Sequence, residues 1–513
     1  MDSYIGGIWI NYQGGKFMKC NIRKLLIYMF YITYTVVFMS IFISGVFYRN
    51  LTYNIELIIG EVLLAGVVAY LMLRVIKDKL SKRVRIAIAT FYVILQVLFT
   101  VLFRTDNTWG WDYDSIVMLA KLYVNHKDAS FAYLANCPNN ILYFLLVVYV
   151  FKFSKLIIGE VNVIFLLLFN IFSLDLSLIL SYKICLKWQN KKLADIVGML
   201  WMLFTPFWIY LPIAYTDIFS IPLYILPIYV YFTFKNKESK WNFFSFLIIG
   251  IIGAIGILFK GNTLIAIIAV CIFDLLNNTI IKSLKKIAIM SIGFCVVYLL
   301  IYNSYNNMPI LKNENIHENS LPVMHYIYMG LVDDGTWNVN VVKDTMSYDT
   351  HQGKVSNAKQ KIKEIIEEKG PIGIIKHLIY KEGNIMWNDG LLRGDLYINR
   401  NPRHERQVHY FFQDNNIIRR FIKYYSDVYW QVILILILIG SIIRIKGAYE
   451  KDNFNILYFI CMGTILFFSF WESNSRYLLN IVPFILIIAA NTLIKGIEFF
   501  NKKTYATENS IID

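Results

Sequence analysis

The stretch FRTDNTWGWDYDSIVMLAKLYVNHKDASFAYLANCPNN, residues 103–140, is a polar and acidic interruption between long apolar runs. Outward from it, apolar runs of about 20 residues recur along the chain, the length at which a helix crosses the hydrocarbon core of a bilayer. Inside hydrocarbon a spanning segment must satisfy its own backbone hydrogen bonds, and a helix does so. A closed barrel would show alternating segments of about ten residues, and these runs do not alternate. A chain of 513 residues that is 57% hydrophobic, 16% aromatic and 17% charged is therefore read as an all-α polytopic membrane protein.

Spans are expected over residues 25–47, 54–73, 86–103, 160–182, 193–211, 217–234, 242–259, 262–279, 287–303, 428–443, 454–471 and 477–497, with an ambiguous thirteenth run over 141–158. The net charge of +15 raises the question of nucleic acid, and its distribution answers it. If the N-terminus is inside and the run 141–158 dips or lies at the outer face, the Lys/Arg clusters at 16–24, 74–85, 183–192, 235–240, 282–286, 444–451 and 495–503 all fall on one side, as the positive-inside rule asks. The basic excess is thus an orientation signal, with both termini cytoplasmic. Lys152 and Lys155 in the thirteenth run suit an interfacial helix whose amines snorkel. The reading divides the chain into an N-terminal transmembrane module, 1–303, that carries the outer loop 104–140, then an extracytoplasmic segment, 304–427, and C-terminal helices with a cytoplasmic tail, 428–513. Six scattered cysteines with no CxxC pair indicate neither a disulfide framework nor a metal site.

This topology gathers four polar features on one outer face: the loop 104–140, the turn AYTD (214–217), the turn FKGN (259–262) and WESNSR (471–476). In WDYD, Trp109 and Trp111 suit the membrane interface, which puts Asp112 and Asp114 near headgroup level. Ile116, Leu119, Ala120 and Tyr123 follow at helical spacing, so a short helix lying on the membrane is expected. Asp114 then has a structural role open to it as the cap of that helix, whereas Asp112 has none and is the stronger catalytic candidate. Asp217 opens a span, where it either supports the helix N-terminus or orients substrate. Lys260, Arg476, Arg104 and Arg393 are the candidate cations for a phosphate, Arg through its bidentate fork and Lys as a point charge; Glu472 stands beside Arg476. Glu61 and Asp175, inside spans, read as buried contacts between helices.

The acidic outer loop after an early span, PNN (138–140) before an apolar segment, YTD (215–217) opening a later span and RYLLNIVPF (476–484) in the last one together resemble the GT-C class of glycosyltransferases. Within that class the chain looks like bacterial Gram-positive members related to protein O-mannosyltransferases and lipid A aminoarabinose transferases. The resemblance implies a GT-C-like bundle of about 12–13 transmembrane helices. It also implies an inverting transferase that moves a sugar from a polyprenyl-phosphate donor to an envelope glycopolymer, lipid or protein acceptor, with Asp112 or Asp114 as general base. Two additional spans before the loop, and Asn139–Asn140 where the class commonly has a second proline, depart from the pattern. No cofactor is expected; paired carboxylates holding a divalent metal, which some GT-C enzymes use, are the alternative.

No GxxxxGK[ST] motif and no GxGxxG after a strand is present, which favours a lipid-linked donor over a cytoplasmic nucleotide sugar. In the outer segment, KQKIKEIIEEKGPIGIIKHLIY (359–380) reads as a charged helix ended at Gly370 and Pro371, then an amphipathic helix. MHYIYMGLVDDGTWN (324–338) is either a cover for the site that stacks on sugar or a plain folded loop. An envelope polysaccharide polymerase or ligase would lean on Arg and His in the long outer segment. A transporter would place its charges at the bilayer midplane, and the spans here hold few.

Overall fold

In the computed structural model the described residues are 4–5, 8–9, 15–50, 63, 66–67, 81–104, 111–188, 191–312, 314–399, 410–411, 413, 416–447 and 452–509. Most of the expected span 54–73, with Glu61, and the tryptophan at 109 lie outside them. A two-strand hairpin, Tyr4–Ile5 with Ile8–Trp9, precedes the helices.

The long helices are α1 (Gly15–Asn50), α2 (Lys82–Phe103), α3 (Asp112–Val124), α4 (Ile141–Ile158), α5 (Ile164–Trp188), α6 (Lys191–Leu203), α7 (Ile221–Phe234), α8 (Ser239–Phe259), α9 (Leu264–Asn277) and α10 (Ile280–Asn306). After these come α11 (Val323–Leu331) and α12 (His351–Tyr380), then α13 (Ile417–Gly447), α14 (Asn455–Phe470) and α15 (Val482–Asn509). Eight helices among the described residues are long and apolar enough to cross a membrane. The protein is a multi-pass, all-α membrane protein.

The bundle has two chemically different ends. At one, Arg23 donates to the Asn278 carbonyl, Tyr31 to Asn455, and Lys235 to Asn453. Arg85 pairs with Asp195 at 2.8 Å, Lys286 with Asp274 at 2.9 Å and Arg444 with Asp452 at 2.8 Å at that end. At the other end lie the starts of α3 and α7 and the segment 471–476. Arg23, Arg85, Lys235, Lys286 and Arg444, one residue from each of five of the expected basic clusters, are thus gathered at the end away from the acidic loop.

The contacts of α4 relate it to these two ends. Near its start, Tyr143 packs on Tyr215 and Phe219 and donates to the Ala214 carbonyl. Near its end, Phe153 meets Phe165 in the first turn of α5. Five residues on, α5 passes Asn170, whose amide donates to the carbonyls of Tyr210 and Leu211, and finishes with Trp188 against Phe232 and Phe454 at the far end. Both ends of α4 thus lie at the acidic end of the bundle, although α4 is long and apolar enough to cross. The expected span 193–211 is broken: α6 ends at Leu203 and a separate short helix covers Thr205–Ile209, because Pro206 cannot donate to an ongoing helix.

Helices α8 and α10 approach closely through small residues. A Cβ on Gly250 would lie 2.0 Å from the Met290 carbonyl oxygen, and one on Gly293 would lie 2.7 Å from that of Leu247. Lipid gives helices no hydrophobic incentive to associate, so such backbone proximity is what dispersion needs. In the outer segment, α12 breaks at Gly370 (φ 61°) ahead of Pro371, as the sequence predicts. Helix α13 begins at Ile417, earlier than the boundary read at 428.

Candidate active site

Helix α3 starts at Asp112, and Trp111 at its N-cap has φ 114° with no side-chain cap. Positive φ is costly for a bulky side chain, so neighbours must hold Trp111 there. Its ring stacks on Tyr397 at 4.4 Å and meets Tyr215 edge-on at 4.7 Å. The cap expected of Asp114 is therefore not made: Asp114 is the third residue of the helix. Two residues of helix differ by about 200° in direction, so Asp112 and Asp114 leave α3 on opposite sides. Ile116, Leu119 and Ala120 form the buried face, as their spacing predicts.

Asp112 faces polar neighbours. Tyr215 donates to its Oδ2 at 3.4 Å and reaches Asn140 Oδ1 at 3.5 Å, while the Asn140 amide donates to the Tyr133 hydroxyl at 2.8 Å. PNN and AYTD, far apart in sequence, are thereby joined at one carboxylate.

Arg476 lies at the centre. Its guanidinium carbon is 4.5 Å from the Trp111 ring, 4.9 Å from Tyr397, 5.3 Å from Tyr477 and 5.5 Å from Tyr215. Aromatic faces stabilise a cation that has left water. Its Nε is 3.7 Å from Asp217 Oδ2, an ion pair but too long for a hydrogen bond. Nε and Nη1 are buried with no hydrogen-bond acceptor among the described residues. Asp217, 1% exposed, also accepts a charge-assisted bond from Lys260, which stands 4.9 Å over the Tyr477 ring. Burial pulls the Lys260 amine below its ordinary value, and Asp217 opposes that shift. Asn480 anchors this corner by donating to the Asp217 carbonyl at 3.1 Å and to Ser220 at 2.6 Å.

Glu472, buried, accepts from the Tyr477 hydroxyl at 3.2 Å. Burial raises its carboxyl; Arg476 and the Tyr477 hydroxyl oppose the rise, the charge of Asp112 adds to it, and that of Arg393 opposes it. Asp112, Asp217, Lys260, Glu472 and Arg476 are thus one electrostatic cluster, with Arg393 at its border. Leu392 and Arg393 take φ 50° and 57°, held by the Arg393 backbone N–H donating to Asp389 Oδ2 at 2.5 Å. Arg104, by contrast, ends α2 half-buried, and no described contact joins it to the cluster.

The outer segment closes one side. Tyr326 stacks on Trp471 at 5.0 Å, so MHYIYMG borders the residues beside Glu472. Lys381, in the π-helical turn Lys381–Met386, donates to the carbonyls of Gly330, Ser469 and Trp471 at 2.8, 2.7 and 3.1 Å. It ties α11, the end of α14 and the cluster-bearing segment together. Among the described residues no three His, Cys, Asp or Glu side chains come together as a metal site.

Sequence reasoning missed Tyr215, Tyr397 and Tyr477 as walls of the cluster. Tyr215 and Tyr477 adjoin residues it singled out; Tyr397 lies in the outer segment with no motif around it.

The sequence of residues 15–495 matches the model of a family described as "Conserved hypothetical integral membrane protein". No curated protein matches the chain. Among solved structures, the archaeal oligosaccharyltransferase AglB from Archaeoglobus fulgidus, in complex with an inhibitory peptide and a dolichol-phosphate, is similar at 12% identity and TM-score 0.41, over 82% of this chain and 51% of that one. The Archaeoglobus fulgidus oligosaccharyltransferase in complex with Zn and sulfate is similar at 10% identity and TM-score 0.41, over 80% and 50%. ArnT from Cupriavidus metallidurans bound to undecaprenyl phosphate is similar at 12% identity and TM-score 0.34, over 81% and 78%. The chain spans about half the length of the two oligosaccharyltransferases.

Proposed function

For this chain, which belongs to the family described as conserved hypothetical integral membrane proteins, we propose that it is a membrane glycosyltransferase of the GT-C class. It moves a sugar from a polyprenyl-phosphate donor to a hydroxyl of a cell-envelope acceptor, at the outer face of a bacterial membrane and with inversion. Both termini are cytoplasmic, which places the acidic end of the bundle outside.

The observation that carries this reading is the Arg476 guanidinium, buried among four aromatic rings, with Nε and Nη1 lacking any acceptor among the described residues. A buried donor left unpaired costs stability; a phosphate oxygen in the cage would satisfy both. Lys260 supplies a second positive charge to the same oxygens, and Asp217 holds both cations in place when the lipid phosphate is absent. Asp112 stands across Tyr215 from this cage. Its carboxylate takes the acceptor hydroxyl proton as the oxygen attacks the anomeric carbon from the face opposite the phosphate. The bond from that carbon to the phosphate oxygen breaks, its electron pair stays with the phosphate, and Arg476 and Lys260 stabilise the charge that develops. Trp111, Tyr397 and Tyr326 offer faces for sugar stacking.

The test is transfer in membrane vesicles fed a panel of radiolabelled polyprenyl-phosphate sugars, with Arg476→Gln beside the wild type. Transfer from one donor that Arg476→Gln abolishes at equal protein level is the expected result. Absence of transfer from every polyprenyl-phosphate sugar, with labelled polymer joined to an acceptor instead, would turn the reading toward a polymerase or ligase.

A further inference from the structure

At the opposite end of α3 from Asp112, a cavity of about 430 Å³ is lined by Tyr123, Val124, His126, Lys152, Lys155 and Leu156. Two ammonium groups share it. Lys152 stands 5.7 Å over the Tyr123 ring and 5.9 Å from that of Tyr149. Lys155 donates only weakly, to the Val124 carbonyl at 3.4 Å and Asn125 Oδ1 at 3.3 Å. Among the described residues neither lysine pairs with a carboxylate, and the nearby Asp128 and Glu160 are exposed. The cavity is thus cationic and uncompensated.

Its surroundings say what kind of anion fits. Tyr149, Phe153 and Leu156 lie at i, i+4 and i+7 on α4 and are 68%, 54% and 80% exposed, with Ile157 beside them at 58%. They form an apolar stripe of the kind that faces acyl chains. Lys152 and Lys155 each precede a stripe residue by one position, so they flank the stripe with their amines turned into the cavity. Both ends of α4 lie at the acidic end of the bundle, as its contacts with Ala214 and Phe165 establish. A cationic hollow on the edge of an apolar stripe, on a helix that begins and ends at one face, presents a phosphate seat continuous with a hydrocarbon seat.

We infer that this groove binds one anionic phospholipid of the surrounding bilayer, its headgroup phosphate between Lys152 and Lys155 and its acyl chains along Tyr149, Phe153 and Leu156. The occupant is distinct from the donor lipid proposed for Arg476. Helix α3 separates the two places by about 18 Å at 1.5 Å per residue, so one phosphate cannot serve both. Bound there, the lipid clamps the C-terminal end of α3 against α4.

The experiment uses the full chain in detergent, titrated separately with phosphatidylglycerol, phosphatidylcholine, undecaprenyl phosphate and inorganic phosphate, with binding read by native mass spectrometry and by the melting temperature. The wild type is compared with Lys152→Gln/Lys155→Gln and with Lys152→Arg/Lys155→Arg. Removing two charges at about 1 kcal/mol each weakens phosphatidylglycerol binding about thirtyfold. The arginine pair is expected to bind as the wild type does, and the lipid-free melting temperature of all three to agree. Equal phosphatidylglycerol binding by the glutamine pair overturns the inference, as does phosphatidylcholine binding as tightly as phosphatidylglycerol. A charge-dependent loss confined to undecaprenyl phosphate or to inorganic phosphate also overturns it, since the occupant would then be a substrate lipid or a free ion. None of these readouts requires sugar transfer, so the result stands apart from the proposed activity.

Discussion

Asp217→Asn keeps the size and shape of the side chain and removes one charge from the middle of the cluster. Asp217 is 1% exposed, and its two cationic partners, Lys260 and Arg476, are 13% and 8% exposed. The substitution leaves two buried cations facing one another with no carboxylate between them. Breaking a buried pair by removing one partner costs about 3–5 kcal/mol, chiefly from the charge left uncompensated. The upper half of that range is expected here, because Arg476 cannot shed its proton, whereas Lys260, already pulled down by burial, can deprotonate to relieve part of the cost. Adding Lys260→Met to Asp217→Asn removes one of the stranded charges and restores about 1–3 kcal/mol. The assay is reversible unfolding in mixed micelles with increasing denaturing detergent, followed by tryptophan fluorescence, as a double-mutant cycle. A loss below about 1 kcal/mol in Asp217→Asn, or a double variant no more stable than the sum of the singles, would refute the claim that Asp217 balances two buried cations.

Arg476→Lys preserves the charge but loses the fork; with about 1.5–3 kcal/mol per charged hydrogen bond, transfer is expected to fall about ten- to hundredfold, measured as initial rate at saturating donor. Lys381→Met leaves the carbonyls of Gly330, Ser469 and Trp471 without their shared donor, and an expected loss of about 3 kcal/mol should appear as early proteolysis of the outer segment. Burial pulls the His325 imidazole down to about 4, while the unfolded chain titrates at about 6.5. The unfolded state therefore binds the proton more readily between those values. The stability this buried neutral ring contributes is complete above about pH 6.5 and is lost as pH falls toward 4, about 3 kcal/mol in all; denaturation at pH 7 and pH 4 should show that slope and His325→Gln should flatten it. Gly250→Ala forces a methyl against the Met290 carbonyl and is expected to cost about 1–3 kcal/mol, read in the same unfolding assay.

Much of the architecture is legible in the residues because a bilayer leaves a chain few choices. Apolar length locates most of the helices, and the sidedness of Lys and Arg agrees with the end at which Arg23, Arg85, Lys235, Lys286 and Arg444 lie. The run 141–158 shows both the reach and the edge of this reasoning. Hydropathy alone makes it a crossing helix, charge sidedness argues otherwise, and the contacts of Tyr143 and Phe153 put both its ends at the acidic end of the bundle. Length misled at 193–211, where Pro206 divides the run. Within the cluster, Asp217, Lys260, Glu472 and Arg476 were each visible as ionisable groups at the ends of spans, where charge has a reason to be placed. Their convergence was not visible, because it depends on how α7, α8 and α14 pack. For Asp114 the sequence leaves a helix cap and a catalytic role both open; the helix starts two residues earlier, which removes the cap, and boundary shifts of that size lie within ordinary uncertainty in helix ends. Arg104 shows the converse: a residue of suitable type on the correct loop that no described contact brings to the cluster. Tyr397 had no local signal at all, since an aromatic wall is defined by the cation it faces.

The most direct test of the account is the rate of sugar transfer by Asp112→Asn in proteoliposomes, with the identified donor and equal amounts of folded protein. Asparagine keeps the contact with Tyr215 and cannot accept the acceptor proton, so the account predicts a fall of about 10²–10⁴-fold with donor binding unchanged, and wild-type rates in Asp114→Asn. Transfer by Asp112→Asn within a few-fold of the wild type would contradict the assignment of this carboxylate as the base.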